Sequence, residues 1–371
     1  MRGQWRGTFT ATELAGTLTM DAEYIDGKIG GSVVLFPNNA SLGFIVGQIT
    51  PVEDALSPTY TTITLRQFNP FTNQFLSPEQ VAEVFKGAEV AKLVQARIEW
   101  NDTKMSVSWD SDIRRSGNAH LTRDNADSPS ELCAQRMNWE RFKKHVATLP
   151  ARKFVFRGQQ EPWRLRSHFH RTGRSDLLRY VTEDMTLLYR HLSARTRHLF
   201  NRADNDQNGA FVHLAQHYGF PTPLIDWTYS PFVAAFFAYR RLGNTDAKRA
   251  RGKRVRIFQF DQKQWRADFP QVGITAPAHP HFSLMEFIAI ENERLIPQQA
   301  LSGLTNVVDV ETYIAFCERT RQHQYLTAID LPVSERETVM RELALMGITA
   351  GSLFPGLDGA CEELRERLFP T

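Results

Sequence analysis

Apolar residues recur at every second position from Gln4 to about Arg123 and at every third or fourth position from Trp139 onward; no other feature of the sequence constrains the fold as strongly. The first stretch reads as short strands, WRGTFTA, KIGGSVVLF, LGFIVGQI and TYTTITL, broken by turn formers such as Pro37-Asn38-Asn39. An antiparallel β-sandwich or a small barrel is expected. ARIEWNDTKMSVSW adds a hairpin in which Asn101-Asp102 supplies the positive φ of the turn. SPEQVAEVFKGAEVAKL, with Ser77, Pro78 and Glu79 at its start, reads as one short helix within this β-rich part. The polar segment DNADSPSELCA, 124–134, marks the boundary between a domain at 1–125 and one at 136–371, and Ser128 or Ser130 can cap the helix that follows.

Beyond the boundary, WERFKKHVATL places Trp139, Phe142, Val146 and Leu149 on one helical face. FVF at 154–156 reads as a buried strand ending at Arg157-Gly158. DLLRYVTEDMTLLYRHLSARTRHLF reads as a long helix, SPFVAAFFAYRRL as an apolar helix opened by Ser230 and Pro231, RVRIFQF as a strand and CEELRERL as a closing helix. The class is therefore α+β.

The chain has 371 residues, room for two cores, and its net charge of +3 names no polyanionic partner. Arginines nevertheless outnumber carboxylates between Arg136 and Arg202, which suits a phosphate-bearing ligand or a solvated helical surface. Cys133, Cys317 and Cys361 lie far apart and form neither a disulfide framework nor a zinc motif, so a cytoplasmic setting is expected. MRGQWRGTFT lacks the apolar run of a signal peptide, and no apolar stretch reaches the ~18 residues of a membrane span. His168, His170, His213, His217, His279 and His281 fall in no metal-ligand spacing, so no metal is expected; RGKRVR at 251–256 reads as a charged turn entering a strand. The sequence has no GxGxxG, no GxxxxGK[ST] and no GxSxG, which argues against Rossmann, P-loop and serine-hydrolase sites.

Two stretches carry chemistry. In FVFRGQQEPWRLRS, a strand presents Arg157, Gly158 lets the chain turn away, and Gln159 adds a donor and an acceptor; such an arginine makes bidentate bonds to phosphate, or an internal pair with Asp226. In HLAQHYGFPTPLIDWTYSPFVAAFFAY, a helix ends at Gln216, His217 and Tyr218, Gly219 suits the left-handed cap and Pro221 stops the helix from resuming. Asp226, Trp227, Thr228, Tyr229 and Ser230 then run into the next helix N-terminus, which favours anions. Trp227 or Tyr229 offers a flat face for a base or nicotinamide ring, Thr228 and Ser230 offer hydroxyls for ribose, and His217 offers a base or a ribose contact. Singly, the same residues are ordinary N-caps and core aromatics.

FRGQ at 156–159, the run QHYG-x-PT-x-L-x-DWT-x-SP at 216–231, the AxxFA helix after it and GITAGSLFPGLDGACEEL at 347–364 resemble, in order, the motifs of the FRG domain, a family named for its Phe-Arg-Gly motif. The resemblance covers roughly 230 residues. Pro223 stands where the family has Arg or Lys, and ERLIPQQALSG at 293–303 keeps only Arg294 and Gln298 of the family's R-x-x-x-Q-x-G-x-F.

The order of arginine, hydroxyl and late Glu or Gln is similar, at the level of fold analogy, to ADP-ribosyltransferases. That resemblance implies NAD as substrate, Arg157 with Gly158 and Gln159 at the diphosphate, and Trp227, Thr228 and Ser230 at the nicotinamide riboside. Glu291, Glu293 or Gln298 would fill the third role. It further implies a macromolecular target, protein or nucleic acid, presented by the β-rich domain. A toxin-like part in phage defence or a toxin–antitoxin pair follows, with an antitoxin or regulatory protein as partner. The alternative from the same residues is a nucleotide or nucleic-acid sensor without turnover.

Overall fold

The computed structural model describes residues 1–53, 57–69, 74–86, 89–123, 126–250, 252–273 and 277–369. Residues 87–88 of the expected short helix, 124–125 of the boundary segment and Arg251 of RGKRVR lie outside the described residues. Among the described residues no helix is long and apolar enough to cross a membrane.

The period-2 region forms nine strands: β1 (Gly3–Ala11), β2 (Leu14–Ile25), β3 (Lys28–Pro37), β4 (Phe44–Val52), β5 (Thr59–Asn69), β6 (Gln74–Phe75), β7 (Leu93–Trp100), β8 (Lys104–Ser111) and β9 (Ser116–Thr122). Antiparallel neighbours run β4-β3-β2-β1-β9-β8-β7-β5-β6, and a further β4–β5 pairing closes eight of them into a barrel. Of the two expected alternatives, closure is the one adopted. A ring removes the unpaired edges that a sandwich would leave. Alternation supplies the filling: Val94, Ala96 and Ile98 of β7 point inward with Met105 and Val107 of β8, around the fully buried Trp5. At Gly31, φ is 142° and a Cβ would lie 1.9 Å from the Asp21 carbonyl oxygen, so the bulge between Ile29 and Gly31 requires glycine.

Two local expectations change. The β7–β8 turn uses no positive φ at Asn101 or Asp102; instead the Asn101 side chain accepts from the Thr103 and Lys104 amides at 3.0 and 2.8 Å. Neither Ser128 nor Ser130 caps the helix Trp139–Ala147, because Asn138 accepts from the Arg141 amide while Ser130 donates to Glu311. The short helix Pro78–Val84 does start as expected, with a capping box between Ser77 and Gln80.

The second unit is a mixed sheet of β10 (Ala134–Arg136), β11 (Phe154–Gln159), β12 (Leu224–Thr228), β13 (Arg254–Asp261), β14 (Phe282–Met285), β15 (Ala300–Thr305) and β16 (Leu326–Pro332), in the order β10-β16-β13-β11-β12-β15-β14. Among the described residues only the β10–β16 pairing is parallel. Both faces are covered, and seven of the eight residues of β13 are buried, Arg256, Gln259 and Asp261 among them. Phe156, Ile257 and Ile329 pack with the helix Pro231–Tyr239, while the adjacent Val155, Phe258 and Ala328 pack on the opposite face with Ile314 of the helix Val310–Arg321. The expected long helix is Leu177–Arg179, a π turn at Tyr180–Asp184 and Met185–Ser193 in succession, ending short of Phe200.

A buried polar seam joins barrel and sheet unit. Glu23 accepts from the Ser175 and Asp176 amides at 2.7 and 2.8 Å and pairs with Arg174 at 3.1 Å. Ser32 donates to Asp176 at 2.8 Å, and Gln4 bridges Asp21 to the Asn306 carbonyl.

Candidate functional site

The strand carrying the Phe-Arg-Gly motif does not end at Arg157-Gly158. It continues to Gln159, paired residue for residue with β13. Gly158 makes no turn: a Cβ there would lie 1.9 Å from the Ala234 carbonyl oxygen, so the missing side chain lets the helix Pro231–Tyr239 press directly on β11. On its other side, β11 pairs with β12 at Phe156↔Thr228 alone. Beyond that point the Asp226 carbonyl takes its hydrogen bond from the Arg157 guanidinium at 2.7 Å instead of from a strand amide.

A cavity of about 720 Å³ opens where the two strands part. Seven arginines and two aspartates line it, among the described residues. Three of the arginines are tied to carboxylates: Arg164 to Asp309 and Glu131, Arg166 to Asp127, and Arg240 to Glu362. The other four, Arg157, Arg171, Arg241 and Arg294, have no carboxylate partner within ion-pair distance among the described residues, so the cavity is strongly cationic. Burial pushes the Arg157 guanidinium down to about 10, with the Asp226 carboxylate opposing the shift and Arg171 adding to it. Its buried Nε has no hydrogen-bond partner among the described residues. Four like charges lining one cavity favour any anion that enters.

Asp226 projects into this field. Gln216 donates to its Oδ1, and Thr222 donates to the Gln216 side-chain oxygen, so one carboxylate oxygen is fixed while the other has no hydrogen-bond partner among the described residues. The helix Asn205–His217 supplies Gln216 together with His213 and His217, three side chains on one face at i, i+3 and i+4. Asn292 bonds His213 at 2.7 Å. Burial lowers the His213 imidazole, and burial with the nearby Arg294 pushes His217 down to about 4, leaving both neutral at pH 7. As expected from the sequence, the helix stops at His217 and its cap Tyr218, and Gly219 beyond them takes a φ of 86°.

Of the residues singled out from sequence, Arg157, Gly158, Gln159, His217, Asp226, Trp227, Thr228 and Gln298 reach the cavity wall. Trp227 does so without its ring face: the indole is 2% exposed and packs between Phe260 and Phe282, because strand alternation turns it away from Asp226 and Thr228. Thr228 donates to the Gln298 carbonyl at 2.7 Å and accepts from the Ser230 amide. Ser230 is the N-cap that accepts from the Val233 amide. Tyr229 bonds Glu286 and lies under Arg152, outside the cavity wall. Tyr218 and Glu293 are exposed off the cavity, and Glu291 accepts from the His198 amide. Gln298 spans the wall, its side chain donating to the Leu353 carbonyl at 2.9 Å. The near-terminal motif thereby enters the site through Phe354, whose ring carries Arg240 at 3.9 Å and Arg294 at 5.1 Å.

Arg171, Asn292 and Trp163 were not signalled, since nothing in their local sequence distinguishes them from surface residues. His213 and Gln216 carried a usable signal in their helical spacing to His217. Among the described residues no group of His, Cys, Asp and Glu could hold a metal ion.

The FRG domain family model matches residues 152–247, and this part of the chain is similar to that family. The match takes in Arg157, Gln216, Asp226 and the helix Pro231–Tyr239 and stops short of Arg294, Gln298 and Phe354. No curated protein matches the chain. A solved redesigned β-barrel, mFAP1, bound to DFHBI, aligns with 33% of this chain and 94% of its own, at 11% identity and a TM-score of 0.22. That likeness is too weak to bear on fold or function.

Proposed function

We propose that the C-terminal unit is an NAD-dependent ADP-ribosyltransferase acting on a macromolecule, with the arginine-lined cavity as its NAD site. The observation that carries the reading is that four arginines without an ion-pair carboxylate among the described residues and one half-free carboxylate, Asp226, line a single cavity of about 720 Å³. The volume is within the range of small-molecule sites. Arg157, Arg171 and Arg294 would hold the diphosphate, with Gly158 and Gln159 alongside.

In the transfer, the bond from ribose C1′ to the nicotinamide nitrogen breaks, its electron pair leaves with nicotinamide, and a nucleophile on the target forms the new bond to C1′. Positive charge builds on the ribose between these events. A carboxylate oxygen about 4 Å away would be worth roughly 4 kcal/mol at an effective dielectric near 20. In this scheme Asp226 takes the role expected of Glu291, Glu293 or Gln298, and Gln298 becomes a wall residue. Thr228 and Ser230 serve the fold first, through the bonds that already engage them.

The test is release of nicotinamide and transfer of label from labelled NAD in the presence of cell lysate. Wild type is expected to be active. Arg157→Ala and Asp226→Asn, checked for unchanged melting, should each lose about a hundredfold or more. No release and no transfer from wild type under any condition would refute the reading. A toxin-like role in phage defence or a toxin–antitoxin pair, with the barrel meeting the target or a regulatory protein, adds the expectation that expression is toxic and Arg157→Ala is not.

One observation favours a second reading, a nucleotide or nucleic-acid sensor: the Trp227 ring and the hydroxyls of Thr228 and Ser230, assigned to nicotinamide riboside, are all engaged within the fold. Steeply salt-dependent binding of RNA or DNA without nicotinamide release would decide for it.

A further inference from the structure

With the Trp227 ring in the core, the cavity still presents one aromatic face. Trp163 lines it and is 51% exposed. Half-exposed indoles are unusual where a fold needs them only for packing. The other aromatics of the wall are committed: Phe156 is 4% exposed, Phe237 meets Phe354 edge-on at 5.9 Å, and Phe354 bears two guanidinium groups. The Trp163 ring has no aromatic or cationic partner among the described residues.

The backbone beneath that ring is held from several directions. Its carbonyl accepts from the Gln159 side chain at 2.8 Å, its amide donates to the Glu161 carbonyl at 2.8 Å, it forms a β-bridge with Pro129, and Ser130 donates to the Pro162 carbonyl next to it. Gln159 is itself buried on β11, two residues from Arg157. The strand that presents the Arg157 guanidinium thus also fixes the position of the free indole. A rigid flat apolar face set beside a cluster of cations matches a ligand with a flat ring at one end and phosphate at the other.

We infer that Trp163 is the platform on which the cavity stacks the heteroaromatic ring of a nucleotide whose phosphates lie on Arg157 and its neighbours. This rests on the reading of the cavity as a nucleotide site, and it is independent of turnover. Gln159 is a positioning residue in this arrangement, acting through the Trp163 carbonyl.

Calorimetric titration with AMP and ADP-ribose, which carry a ring, and with pyrophosphate and ribose 5-phosphate, which do not, tests it. Trp163→Ala should weaken AMP and ADP-ribose tenfold or more while pyrophosphate and ribose 5-phosphate change less than twofold, and Trp163→Phe should restore most of the loss. Trp163 is exposed, so an unchanged melting temperature is expected and confirms folding. Unchanged AMP affinity in Trp163→Ala, or an equal loss for pyrophosphate, overturns the inference. Trp163-dependent AMP binding without nicotinamide release sustains it and refutes the transferase. Wild type that binds pyrophosphate no less tightly than AMP overturns the platform alone.

Discussion

Replacing Gly158 with alanine adds one methyl group where β11 crosses the helix Pro231–Tyr239. The new Cβ would lie 1.9 Å from the Ala234 carbonyl oxygen and 2.9 Å from both the Ala234 carbonyl carbon and the Ala238 nitrogen. These are backbone atoms inside a helix, so no rotamer change relieves the clash. Reaching ordinary contact at 3.4 Å requires strand and helix to separate by about 1.5 Å. The helix buries Val233, Ala234, Ala235, Phe236, Ala238 and Tyr239 in one cluster, and a gap of that size forfeits much of their contact. A cost of about 3 kcal/mol or more follows, at or above the upper end of ordinary overpacking. For a unit of this size that is a fall in Tm of roughly 6–12 °C. Arg157 and the Asp226 carbonyl sit on the two sides of the parting strands, so ligand binding or turnover should fall as well, by about a hundredfold for a displacement near 1 Å. Thermal denaturation followed by circular dichroism reads the first effect, and the ligand titrations read the second. A Gly158→Ala protein melting within 1 °C of wild type would refute the close-approach explanation, since a turn role with ordinary φ would tolerate alanine.

Two further expectations follow from buried titratable groups. Burial, with Glu23 adding to it, raises the Asp176 carboxyl from 3.8 to about 6, so between these values the folded chain holds a proton that the unfolded chain has lost, and stability falls as pH rises through the window. Asp176→Asn, which keeps an acceptor for the Arg179 amide and for Ser32, should gain about 1–3 kcal/mol at pH 8 and nothing near pH 3.5 in denaturant titrations; a variant less stable at both pH values would refute this. The His217 imidazole, observed by NMR, should titrate near pH 4 because burial and Arg294 disfavour its cation, and a midpoint near 6.5 would show that the cavity is wetter and less cationic than described.

Much of the local architecture could be read from the chain because it is decided within a few residues. Ser77 before Pro78, Ser230 before Pro231 and Gly219 after Tyr218 perform the capping expected of them, as a cap needs only its own turn of helix. The change from a two-residue to a helical period separated barrel from mixed sheet in the same way. Barrel closure lay beyond that reach, since β4 meets β5 through register between whole strands.

The site divides similarly. The FRGQ and DWTYS stretches pointed to Arg157 and Asp226, but a period of two places neighbours on opposite faces, and only the covering helices decide which face is core. Trp227 therefore went into the core while Asp226 met the cavity, and Gly158, read as a turn, proved to be a contact point for a helix some 75 residues later. Arg171, Asn292, Arg294 and Phe354 share a wall with Arg157 only because the tertiary fold sets β12 beside β11 and β15 beyond β12. Sequence singled out an arginine and a carboxylate in two separate motifs; the tertiary structure decided that they share one cationic cavity, because convergence is set by strand order and register, which no local pattern encodes.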